Sequence, residues 1–199
     1  MIPQYNGMKA EQTVFSNPLP KGGYVANIIN AKIEEYSWGS VLVIAFDIAE
    51  GDYKDFFCRQ FNANTNPDKK WKGTYRIVIP NENSQYFDNE KKTFNNLIGS
   101  LEHSNNGYHF DWDEQKFKGK SIGVIYRNKE WEMNGNTGWT TECGAVTDIT
   151  SIRENTFKPL KDKPLKNKSA VSTNQDYSGY SGYSDYSVTV IETEEDLPF

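Results

Sequence analysis

Residues 22–52 constrain the fold more than any other stretch. Their return half, VLVIAFDI at 41–48, is apolar almost without a break and rich in β-branched side chains. That is the composition of a strand covered on both faces. Leu42, Ile44, Phe46 and Ile48 share one face, and Val41, Val43 and Ala45 share the other. Residues 24–36 read as the outgoing strand, with Ser37, Trp38, Gly39 and Ser40 making the reversal. Glu50, Gly51 and Asp52 form a polar break. Residues 53–61, YKDFFCRQF, alternate Tyr53, Asp55, Phe57, Arg59 and Phe61 against Lys54, Phe56, Cys58 and Gln60, which predicts a third strand. Three antiparallel strands in succession predict a meander that curls into a barrel or half a sandwich.

A polar loop, NANTNPDKKWKG, leads to a possible short strand at 75–79. Phe94, Leu97, Ile98 and Leu101 then recur at helical spacing, and Asp88 or Asn89 can cap a helix over about 90–102. SIGVIYR (121–127) reads as a strand, NKEWEMNGNTG as a hairpin loop with an Asn-Gly turn signal, and 139–152 as the last strand. The predicted order is β-β-β-α-β-β. This is a mainly β chain with the order of the OB-fold, a five-stranded barrel with one helix between strands three and four. In that fold the ligand face lies on strands two and three, flanked by the loops after strands one and four. Those loops here carry Trp38 and Trp131.

The chain divides unevenly. Residues 1–21 read as an irregular arm and 1–160 as the OB domain. Residues 161–191 read as a disordered linker with Tyr at 177, 180, 183 and 186 among Ser, Gly and Asp, and 192–199 as an acidic tip. All 22 basic residues precede residue 176, against 21 acids there, and the other six acids lie from Asp176 onward. The net charge of −5 therefore belongs to the tail, and the body is near neutral. No run is long and apolar enough for a membrane span, and the start, MIPQYNGMKAEQ, has no signal-peptide pattern. Two distant cysteines, Cys58 and Cys143, fit reduced thiols. A cytoplasmic setting in a bacterial host follows from these features and from the resemblance below.

Several pieces together resemble the single-stranded-DNA-binding proteins encoded by phages and prophages of Gram-positive bacteria. They are GGYVANIINAKIEE, FDIAEGDYKDFF, KKWKGTYR, the run LIGSLEHSNNGYHFDWDEQKFKGKSIGVIYR, and ITSIRENTFKPLKDKPL, covering about residues 20–165. The terminal EEDLPF is similar to the acidic tip of bacterial single-stranded-DNA-binding proteins. The resemblance implies sequence-independent binding and protection of single-stranded DNA in phage or mobile-element replication or recombination. It also implies recruitment of replication and repair proteins through Glu194, Glu195, Asp196, Leu197, Pro198 and Phe199. It leaves room for a homo-oligomer.

Holding a single strand needs π-faces for bases and cations for the backbone. Aromatic residues beside Lys or Arg are the candidates: Trp38, Phe57 with Arg59, Trp71 within Lys69, Lys70 and Lys72, Tyr75 with Arg76, and Trp131 near Arg127 and Lys129. Enzyme signatures are absent. His103 and His109 are the only histidines, no spacing suits a metal, and GNTG lacks the Lys-Ser/Thr of a phosphate loop. No cofactor is expected. The competing readings are a replication adaptor whose barrel binds protein rather than DNA, and a carbohydrate-binding sandwich, against which the missing export signal counts.

Overall fold

The computed structural model describes residues 17–165. One five-stranded antiparallel sheet organises it, in the order β3-β2-β1-β4-β5. The strands are β1 (Gly22–Tyr36), β2 (Gly39–Ile48), β3 (Thr74–Val78), β4 (Ser121–Met133) and β5 (Asn136–Thr147), and the helices are α1 (Phe56–Ala63), α2 (Phe87–Ser104) and α3 (Ile149–Arg153). β1 is the hub. It pairs with β2 from Ala26 to Tyr36 and with β4 from Gly22 to Asn27, with a register shift between Ile28 and Asn30. A bulge there sharpens the local twist and lets one long strand serve two neighbours. β3 and β5 are the two ends of the sheet, so the ladder does not close into a barrel. Helix α2 packs against both end strands, and its Asn96 amide donates to the Val146 carbonyl at 2.9 Å.

Between the sheet and the helices lie Leu42, Ile44, Phe46 and Ile48 from β2, with Tyr75 and Ile77 from β3 and Phe94, Leu97 and Leu101 from α2. The α2 stripe is therefore the one its spacing predicts, and Ile98 packs at its margin. The β4–β5 turn is the Asn134–Gly135 pair, both at positive φ, as a two-residue hairpin of right-handed strands requires.

The chain departs from the predicted order at residues 53–61. There is no third strand there. Phe56–Ala63 is helix α1, and the third strand is Thr74–Val78. The cause is Asp47, at the end of β2. Its carboxylate accepts from the backbone N–H of Phe57 (2.9 Å) and Cys58 (2.9 Å), satisfying donors of the first helical turn, and from its own neighbour Ile48 (2.8 Å). Burial pushes the Asp47 carboxyl above its ordinary range, and these three donors pull against the rise. Phe56 and Phe57 go into the core while Cys58 faces solvent.

The last strand also stops early, at Thr147, where Asp148 caps α3 by accepting from the Ser151 N–H at 2.8 Å. Ile149 and Ile152 are thus helical. Ordered packing continues past the expected linker boundary. Lys163 donates to the Asn128 carbonyl (2.8 Å), accepts from the Glu130 N–H (2.9 Å), and lies parallel to β4. Ile152 and Phe157 crowd Gly23, so this C-terminal strap covers the outward side of β1 and β4.

Candidate nucleic-acid interface

Among the described residues the strap lies on the β1–β4 side, so the outward face of β1, β2 and β3 lies away from it. Register defines its rows. Glu34, Val41 and Val78 stand side by side; so do Lys32, Val43 and Arg76, and then Asn30, Ala45 and Thr74. The upper rows are joined by one polar network. Glu34 accepts from Tyr36 OH at 2.7 Å and pairs with Lys32 at 3.0 Å and with Arg76, which also donates to Tyr36 OH at 2.7 Å. Burial alone would raise the Glu34 carboxyl; the bonds from Tyr36, Lys32 and Arg76 outweigh it and hold the group below its usual range. The network fixes the Tyr36 ring, and Trp38 stacks on that ring at 5.3 Å between centroids and 13° between planes. Trp38 is 52% exposed at the hairpin tip, so its ring stays half open to solvent.

A second cluster sits beside β3. Lys69, Lys70, Trp71 and Lys72 lead straight into Thr74. Trp71 is half-buried. Its indole N–H is shared between the Phe46 and Gly73 carbonyls, each at 3.1 Å, and its ring lies against Phe57 and Phe61. It anchors the loop more than it offers a face. Lys69 lies over the Phe61 ring at 4.5 Å. Lys70 and Lys72 are exposed, and among the described residues no acid pairs with either. Arg59 is exposed on α1, beside this cluster in sequence rather than on the sheet face.

The third cluster is on the β4–β5 arm. Glu142 holds Arg127 (3.0 Å), Lys129 (3.3 Å) and Lys163 (3.3 Å). Burial would raise this carboxyl too, but the surrounding cations win and lower it. Trp131 packs on Gly138, where a Cβ would come within 2.7 Å of the indole ring. Gly22 pairs with Tyr126, so the arm leaves the sheet at the opposite end of β1 from Trp38.

The candidates therefore separate. Trp38 and Arg76 meet on the outward face, Lys69, Lys70, Trp71 and Lys72 form the loop beside it, and Arg127, Lys129 and Trp131 form the arm. Phe57 (5% exposed) and Tyr75 (8%) are core residues and present no ring to a ligand. The contributors that sequence reasoning missed are Tyr36 and Lys32. Their signal was present, because they alternate with Glu34 on one face of β1. Trp112 is also exposed, but it stands between Asp111 and Asp113, which share Lys116, and away from the Arg76–Glu34 network.

Among the described residues, no His, Cys, Asp and Glu grouping suits a metal ion, and no helix is long and apolar enough to cross a membrane. Both thiols are free, and burial pushes Cys143 up to about 12. The tip residues Glu194, Glu195, Asp196, Leu197, Pro198 and Phe199 lie outside the described residues, as does the Tyr-bearing linker. No protein-family model matches the chain, and no curated protein matches it either.

Proposed function

We propose that this chain binds single-stranded DNA without sequence preference, on the outward face of β1–β2–β3 of an open, OB-type sheet, and does so by binding rather than catalysis. The observation that carries the reading is the Tyr36–Trp38 stack held beside Arg76 and Lys32 on the outward face of the sheet, with Trp38 52% exposed. It joins a ring surface to backbone-binding cations without a set of donors and acceptors aimed at base edges, which is the requirement for sequence-tolerant binding. The OB-type reading is supported by the strand order and by a first strand shared between two hairpins. The resemblance to phage and prophage single-strand binders points the same way, as does the acidic tip, for which we keep the role of recruiting replication and repair proteins.

The test is a fluorescence titration of the full chain with oligo-dT and with duplex of equal length, at several salt concentrations. Tryptophan emission should be quenched by oligo-dT. The logarithm of the affinity should fall linearly with log salt, with a slope of about −0.7 per phosphate engaged. Equal affinity for duplex, or binding indifferent to salt, removes the proposal.

A further inference from the structure

Val41 and Val43 point outward from the sheet, away from the interior cluster that takes Leu42 and Ile44. Yet they are only 5% and 3% exposed. An outward strand residue is buried only when something lies over it. Across β2, the side chain of Arg76 on β3 reaches that of Glu34 on β1, and Lys32 and Tyr36 join them. By register Glu34 stands beside Val41, and Lys32 and Arg76 beside Val43, so the bridge crosses β2 as a polar roof over these two valines.

The roof uses the groups that a nucleic-acid backbone would need. A carboxylate and a phosphate compete for the same guanidinium geometry, since both accept its parallel N–H bonds. We infer that Glu34 is an internal stand-in for a phosphate: it occupies Arg76 and Lys32 in the free protein, and the backbone of a bound single strand displaces it, opening the Val41–Val43 strip to a base or deoxyribose. This rests on the single-strand reading above and adds to it a built-in competitor. Two cations against one carboxylate leave the face a net positive charge, so an incoming phosphate is still attracted. Giving up the bridge lowers the affinity, and Glu34 thereby sets how readily the strand is released.

The test uses the full chain as Glu34→Gln, Arg76→Gln and the double variant, titrated with oligo-dT. Glutamine keeps the shape and an acceptor for Tyr36 OH but lacks the charge. Glu34→Gln should bind about fivefold tighter at low salt, the worth of a partly exposed ion pair. Its salt slope should be steeper, because no cation need return to a freed carboxylate. With Arg76→Gln in the background, the gain should shrink to the part that the freed Lys32 supplies. Unchanged or weaker binding by Glu34→Gln, with the parent chain binding normally, overturns the inference and leaves the single-strand reading standing. A gain that persists undiminished without Arg76 also overturns it, because the effect is then general charge. A parent chain that binds no oligo-dT overturns both.

Discussion

Trp38→Ala should weaken oligo-dT binding by about 1–3 kcal/mol, roughly fivefold to 150-fold, and leave the fold intact. The ring lies in the two-residue link between β1 and β2, half exposed, with one neighbouring ring, Tyr36. Removing it opens no interior cavity, so the change in stability should stay within about 0.5 kcal/mol. What it removes is the outer surface of a stack whose inner ring is held by Glu34 and Arg76. Titration and thermal melting of the same sample read the two effects separately. Undiminished affinity would move the stacking role elsewhere, with the exposed Trp139 on the β4–β5 arm as the next candidate.

Phe57→Ala should do the reverse. This ring meets Phe46 edge-on at 5.9 Å, Phe56 at 5.2 Å and Tyr126 at 6.4 Å, in the centre of the packing between α1 and the sheet. Truncating a buried phenylalanine costs about 3–5 kcal/mol. That is a large share of a small domain's total, about 5–15 kcal/mol. The denaturation midpoint should therefore fall sharply, and any loss of DNA binding should follow the unfolded fraction. A variant that melts like the parent yet loses DNA would put Phe57 on the binding surface after all.

These two aromatics show what was legible in the sequence. The first hairpin was readable because a long β-branched run and a two-residue turn are local signals, and Trp38 was placed with it. Helix α2 was readable from its spacing. Residues 53–61 were misread because the segment satisfies both periods. Phe57 and Phe61 are two apart in strand alternation, and they are also one helical turn apart. What decides between the periods is Asp47, ten residues before Phe57, whose carboxylate meets the helix start only after β2 has been placed. Asp148 with Ser151 was a local cap and could have ended the last strand at Thr147. On the site, Arg76 was recognisable as a cation beside an aromatic residue, but its partners were not. Pairing it with Glu34 and Tyr36 requires the register across β2, which no window of sequence contains. The Glu142 cluster needs Lys163, in a stretch whose composition reads as linker.

The most direct measurement is photocrosslinking of oligo-dT to the full chain, followed by mapping of the modified peptides. Adducts should fall on Tyr36 and Trp38 and within the 69–72 loop, and should disappear with excess unlabelled oligo-dT but persist with excess duplex. Specific adducts confined to the strap-covered side of β1 and β4, or to the acidic loop around Trp112, would contradict a single-strand site on the outward face of β1–β2–β3.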